Sequence, residues 1–372
     1  MGVTYHADVA ILGAGPAGTA AAVHLGQLGV KNVVLVDRAD FPRDKTCGSG
    51  LSPKGIKALK QLGVWDEVEP ESYWIKGLRL VTPGDREVYV SGGDAAAAVV
   101  CNRRTLDHII LKRAISLGVQ FVPSFLTTKL IEDGGRVRGF VSQNGDEVHA
   151  KYTIIADGAH SRFTVDRGPK QKIQAIMGWW DNVPFKQQHV EMVFDKMVSP
   201  FYGWLFPEND GRVNIGICYE HKGDEKENAR ELFQRFLDKH YAHRLSNSKQ
   251  IGDWKGHPIV YSYEIEKLYS PGRIVIGEAG RMTHPATAEG ISQGMRTGIM
   301  AAEALSDILA NRVGEAEAFA KYQAACKRSF WISFNAAKIF RKVIDSSLID
   351  NLVAMTQQRH VKMAIGRIMA EM

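Results

Sequence analysis

Cysteine is scarce in this 372-residue chain: Cys47, Cys101, Cys218 and Cys326 stand far apart, with no CxxC spacing. A zinc site and a disulfide scaffold are thereby excluded as organising features, and a reducing, cytoplasmic setting is expected. No stretch reaches the roughly 20 consecutive apolar residues needed to span a bilayer. The chain opens with a short polar lead into a strand instead of a signal-peptide pattern, so it is expected to stay where it is made. Repeats and low-complexity segments are absent, and a charged content of 24% beside a hydrophobic content of 45% excludes disorder. The net charge of +6 is modest and carries no nucleic-acid-binding module, so nucleic acid is not an expected partner. No metal site is expected either.

That charge is unevenly placed. From Lys327 to Met372 there are eight Lys/Arg against Asp345, Asp350 and Glu371, a balance of +5. Together with Phe330, Trp331, Phe334 and Phe340, this suggests weak, peripheral association of 327–372 with an anionic membrane. A solvated helix with an apolar stripe on the body is the plainer alternative.

What the chain does have is glycine in a telling order. Ala7 to Leu12 reads as a buried strand ending in Gly13, Gly15 and Gly18; Pro16 to Leu28 has helical composition; Val33 to Val36 is a second strand, closed by Asp37. Strand, glycine turn, helix, strand is the context in which GxGxxG acquires meaning, because parallel strands need a crossover helix. In it Gly13 permits the bend, Gly15 lets backbone N–H groups approach a pyrophosphate, and Gly18 allows close helix packing. The helix N-terminus adds positive potential, and Asp37, nineteen positions beyond Gly18, can hold a ribose diol. More than two hundred residues later Gly277-Glu278 follows the strand Arg273 to Ile276 and precedes a helix beginning near Glu289. Two such ends suit a long flavin dinucleotide. Asp157-Gly158, after the strand Tyr152 to Ala156, and Arg162 beyond it fit the same cofactor. Arg103, placed before a helix over Leu106 to Leu117, is a further candidate.

The expected fold is α/β: a Rossmann-like FAD-binding domain of the glutathione-reductase type, with an inserted antiparallel-sheet substrate domain and a C-terminal helical tail. The FAD domain is placed in 1–75, 100–165 and 265–320, the substrate sheet in 76–99 and 166–264, and the tail in 321–372. The antiparallel strands are expected over Gly77 to Val100 and in the aromatic-rich stretch Gln174 to Tyr219, with a charged helix at Glu225 to His240.

Several stretches together resemble the geranylgeranyl reductase family of flavoproteins, itself related to the aromatic hydroxylases. They are GAGPAG with Asp37; the run Phe41 to Pro53, containing KTCGSGLSP; Asn102 to Asp107; Ala156-Asp157-Gly158; Tyr202 to Pro207; and Gly277 to Ile291. The resemblance spans most of the chain but not the tail, and the KxCGxGLxP run is its most diagnostic part. It implies FAD contacts at Gly13, Gly15, Pro16, Ala17, Gly18, Asp37 and Arg38, and at Cys47, Gly48 and Gly50 beside the flavin. It adds Arg103, Thr127 near the adenine, Asp157, Gly158, Gly277, Glu278, Gly290 and Ile291. For the substrate it implies an apolar site among Trp179, Trp180, Tyr202, Trp204, Phe206 and Pro285. The proton donor stays open between Cys47, ranked first, His284, Tyr202 and a flavin-bound water. Three positions depart from the family pattern: Glu278 replaces an aspartate, Glu208 a lysine, and His284 an asparagine.

The resemblance implies an oxidoreductase that reduces double bonds of a prenyl chain, prenylated lipid or quinone. A flavin monooxygenase acting on an aromatic or polyene substrate is the first alternative, and a non-catalytic prenyl-binding escort protein the second. The electron donor is open between NAD(P)H and a ferredoxin-like protein, since there is no second GxGxxG.

Overall fold

A computed structural model describes residues 2–91, 98–166, 168, 171–220, 228–344 and 350. Two large sheets divide them. In the first, parallel strands run in the order Arg273–Val275, Glu147–Ile155, Thr4–Leu12, Val33–Val36 and Gln120–Val122. The residues of Val9 to Leu12 and Val33 to Val36 are buried without alternation, because helices cover one face of the sheet and Phe125 and Phe140 pack on the other. The hairpin of Thr127–Asp133 and Arg136–Ser142 extends the edge of Glu147–Ile155.

The helix Pro16–Gln27 begins where Gly15 ends the turn, with Pro16 supplying a preset φ. Its small residues have a packing reason. A Cβ on Gly298, in the helix Ile291–Leu309, would lie 2.4 Å from the Ala17 carbonyl oxygen, so these two helices touch backbone to backbone. The helix over 106–117 starts earlier than its sequence pattern indicates. It runs Arg103–Ser116 because the Asn102 side chain accepts the Arg104 N–H and caps it, which puts Arg103 inside the first turn instead of before it.

The second sheet has seven strands, in the order Lys249–Tyr261, Gln171–Asp181, Val213–Tyr219, Gly203–Pro207, His189–Val193, Gly77–Val81 and Glu87–Ser91. Its ladder is antiparallel except where His189–Val193 meets Gly77–Val81 in parallel, a step the expectation of a purely antiparallel sheet does not contain. Ala98–Cys101 leaves this sheet altogether and pairs with Gly50–Leu51 and Ser72–Ile75 in a small third one. One face of the large sheet is covered by the helix Ala229–His240, capped by Asn228; the other carries Ala175, Met177, Met192 and Trp204 and packs against Phe340 and Ile344.

The last described helix is Glu315–Ile344. Phe330 and Phe334 are buried on it and Trp331 is exposed. The rest of the expected tail, apart from Asp350, lies outside the described residues. No described helix is long and apolar enough to cross a membrane.

Candidate functional site

A cavity of about 610 Å³ runs from the glycine turn to the inner face of the seven-stranded sheet. At the first end each glycine has a distinct physical reason. Gly13 has φ +102°, and a Cβ there would lie 2.5 Å from the Ala156 carbonyl oxygen; a Cβ on Gly18 would lie 1.9 Å from the Gly13 oxygen. Gly15 is different, because its Cβ would meet only the Arg43 guanidinium, at 3.8 Å. The backbone there is left open toward the cavity. Gly18 itself does not line the cavity and serves the packing.

Positive charge is gathered beside that opening. Asp107 is fully buried and accepts both Arg103 Nε and Arg103 Nη2 at 2.7 Å, while Arg43 Nη2 approaches the same carboxylate at 3.2 Å. One carboxylate thus holds two guanidiniums, leaving a net positive site, and buried Arg43 Nη1 has no hydrogen-bond partner. This pattern fits an anion such as a pyrophosphate. Asp37, lining the same end, accepts Ala14 N–H at 2.7 Å and Ala39 N–H at 2.9 Å. Those bonds fix a carboxylate at the end of its strand, with lone pairs left for hydroxyl groups.

Further along, Lys45 donates from Nζ to His257 Nε2 at 2.7 Å, joining the 45–50 loop to the large sheet. Burial, reinforced by Arg103, brings the Lys45 amine down to about 8; burial and Lys45 bring His257 down to about 3. His257 is therefore a neutral acceptor at ordinary pH. Glu278 Oε1 accepts Val260 N–H at 3.0 Å, and burial raises its carboxyl. The extra methylene relative to aspartate is used to reach the neighbouring strand Lys249–Tyr261. Glu289 holds the 50–53 loop against the helix Ile291–Leu309 by accepting Ser52 N–H at 3.3 Å and the Ser292 hydroxyl.

The other end of the cavity is apolar. Ala175, Met177, Met192, Trp204, Phe206 and Ile259 line it from strands far apart in sequence. A Cβ on Gly48 would lie 3.3 Å from Trp204 Nε1, and one on Gly50 3.1 Å from Phe206, so the glycines of the Cys47 loop let these aromatics close against it. Trp204 Nε1 donates to Asn214 Oδ1 at 2.6 Å, which locks the ring. Burial pushes Cys218, at the same end, up to about 12 and keeps it a thiol.

The three candidate acids fall in different places. Cys47 lines the cavity, with its Sγ accepting Ser49 N–H at 3.3 Å. Tyr202 also lines it; its hydroxyl donates to the Thr287 carbonyl, and burial holds the phenol well above its usual range. His284 does not reach the cavity. It is fully buried, its Nδ1 accepts Ala286 and Thr287 N–H at 3.3 and 3.2 Å, and its ring packs on Phe334. Burial lowers it to about 4, so it is a neutral acceptor and no acid. Pro285 beside it is buried away from the cavity as well.

Three further residues expected in the site, Trp180, Trp179 and Thr127, stand outside the cavity lining. Trp180 points to the opposite face of its strand, edge-on to Phe233, because successive side chains of a strand alternate. Trp179 lies on the inner side but short of the cavity lining, tied to Glu208 Oε1 at 2.8 Å. Glu208, at the position where the family carries lysine, is buried and also accepts Asn102 and Arg212. Thr127 opens its strand outside the lining, with its buried hydroxyl unpartnered. The remaining expected cofactor residues, Pro16, Ala17, Arg38, Asp157, Gly158, Gly277's neighbour Glu278, Gly290 and Ile291, line the cavity, whereas Gly277 lies behind it at φ +58° against Ala17. Sequence reasoning passed over Arg43, Lys45 and Asp107 as site residues, although Lys45 opens the diagnostic run, Arg43 lies two residues before it and Asp107 sits one helical turn from Arg103. His257 had no signal at all.

An FAD binding domain model matches residues 6–333. The menaquinone reductase of Mycobacterium tuberculosis H37Rv is 30% identical over 335 residues, 82% of this chain and 78% of that protein. Digeranylgeranylglycerophospholipid reductase 2 of Methanopyrus kandleri is 26% identical over 365 residues, 92% and 88% of the two chains. Among solved structures, a geranylgeranyl bacteriochlorophyll reductase-like protein of Thermoplasma acidophilum superposes with a TM-score of 0.84 at 21% identity, covering 95% of this chain and 92% of that one. It shares the mixed α/β fold. By its sequence relatives and the residues around its cavity, this chain belongs to the geranylgeranyl reductase family of FAD-dependent oxidoreductases.

Proposed function

We propose that the protein adds hydrogen across carbon–carbon double bonds of a prenyl chain carried by a lipid or quinone. The observation that carries this reading is the continuity of one cavity, in which the open glycine turn and its cations face an apolar sheet surface across the Cys47 loop. The relatives named as menaquinone and digeranylgeranylglycerophospholipid reductases support it. In this reading 1–75, 100–165 and 265–320 form a glutathione-reductase-type FAD domain, 76–99 and 166–264 the inserted substrate domain, and 321–372 the tail.

Gly15 and Arg43 would hold the pyrophosphate of FAD, Asp37 its adenosine ribose, and Glu278, Gly290 and Ile291 the flavin end. Bound and reduced, FAD supplies a hydride from N5. The chain's own part is to lay the alkene against the Cys47 loop, exclude water with Trp204 and Phe206, and provide the proton for the second carbon. Cys47 Sγ–H is the proposed donor, since Tyr202 Oη–H is committed to a backbone carbonyl. The reductant is NAD(P)H visiting the cavity or a ferredoxin-like protein, and mixing the oxidised enzyme with each in turn decides between them.

The deciding experiment is anaerobic turnover of a prenylated quinone or lipid by chemically reduced enzyme, read by mass spectrometry. A gain of about two mass units per bond supports reduction. Product that forms only with oxygen, at about sixteen units more, overturns it in favour of a monooxygenase. Purified protein that takes up no FAD overturns catalysis altogether and leaves the prenyl-binding reading.

A further inference from the structure

We propose that the outward face of the helix Glu315–Ile344 docks the protein onto an anionic lipid bilayer. The choice of a bilayer rests on the reading above, that the substrate is a prenylated lipid or quinone. Trp331, Ile332 and Ile339 stand 50%, 74% and 68% exposed on this helix, whereas Phe330 and Phe334 on its inner side are buried. At about 100° per residue, Trp331, Ile332 and Ile339 share one arc with Arg328 and Lys342. An apolar stripe edged by cations, with a tryptophan among them, has the composition of an interfacial helix.

Charge selects the occupant. From Lys327 to Ile344 the helix carries five Lys/Arg and no Asp/Glu. Arg341 is spent inward on Glu220, Tyr261 and Tyr263, which pins the helix to the large sheet. Arg328 and Lys342 remain exposed beside the stripe. A second copy would bring the same positive face against this one. The chain after Ile344 carries Arg359, Lys362 and Arg367 against Asp345, Asp350 and Glu371, so it has no net negative charge to offer that face. Anionic headgroups complement it.

The helix also packs behind the apolar end of the cavity. Phe340, next to exposed Ile339, packs edge-on to Phe194 at 6.3 Å, and Phe194 lies 5.8 Å from Tyr202, which lines the cavity. Docking through this face places the apolar end of the cavity next to the membrane that stores the substrate.

Vesicle sedimentation of the full FAD-bound chain tests the proposal, with phosphatidylglycerol and phosphatidylcholine vesicles compared. Expected is binding to the anionic vesicles that falls at least roughly tenfold in the triple variant Trp331→Ser, Ile332→Ser, Ile339→Ser and in Arg328→Glu, Lys342→Glu. The flavin spectrum, melting temperature and turnover of detergent-dispersed substrate should stay as in the parent. Equal binding by the triple variant overturns the proposal, as does equal binding to both vesicle types. So does loss of binding on ending the chain after Ile344 with the face intact, or a change from dimer to monomer in the triple variant with vesicle binding kept. If the parent docks but saturates no prenyl substrate, the functional reading falls and the docking face stands.

Discussion

The two ends of the cavity are built on opposite logics. The cofactor end is made of backbone: three glycines, a helix N-terminus and two fixed carboxylates within the first 37 residues or held rigidly against them. The substrate end is made of side chains contributed by strands scattered between Ile75 and Ile259. Backbone cradles tolerate almost no added atom, because packed interiors cannot move aside by an ångström. Apolar walls are graded, and change volume with each residue. The first end is therefore expected to fail all at once, the second to shift its preferences.

The strongest break in that contrast is Gly18→Ala, whose methyl would fall 1.9 Å from a backbone oxygen. Loss of about 3 kcal/mol or more, or failure to fold, is expected in denaturant titrations. Gly15→Ala, with open space around its Cβ, should fold normally and lose at least roughly tenfold in FAD affinity by calorimetry. Equal damage from both would mean that the opening at Gly15 is not a phosphate approach. Next comes Asp107→Asn, which leaves two guanidiniums facing a neutral group. A destabilisation of about 3–5 kcal/mol is expected, since one partner of a buried ion pair is removed, and melting temperature reads it.

At the substrate end Met177→Trp should raise KM for a long prenyl chain by roughly tenfold while leaving FAD affinity within about twofold. A parallel loss of FAD would show that the two ends are not separable. The smallest effect concerns acid. His284 is lowered in the fold to about 4, so the unfolded chain binds more protons below pH 6.5 and stability is lost as pH falls from there toward 4. About 1 kcal/mol should be gone by pH 5.5, and His284→Asn, which keeps an acceptor for the two backbone N–H groups, should remove that part of the slope.

Much of the cofactor end was legible because its determinants are local. Glycine spacing, Asp37 at a strand end and the KTCGSGLSP run each state a backbone requirement within a few residues. The substrate end was legible only as a class of residue. Trp179 and Trp180 are adjacent aromatics of equal promise in sequence, yet strand alternation sends one to the outer face and leaves the other tied to Glu208 short of the cavity. His284 had the chemistry of an acid and the surroundings of a buried acceptor.

The sequence by itself determined the dinucleotide cradle and the family, since steric demands on a turn and a helix start are written in neighbouring residues. Only the tertiary structure decided which groups meet: Lys45 with His257 across 212 positions, Asp107 with Arg43 and Arg103, and Trp204 with the Cys47 loop. Burial and charge at a point are sums over everything packed around it, and no local pattern in a chain carries that sum.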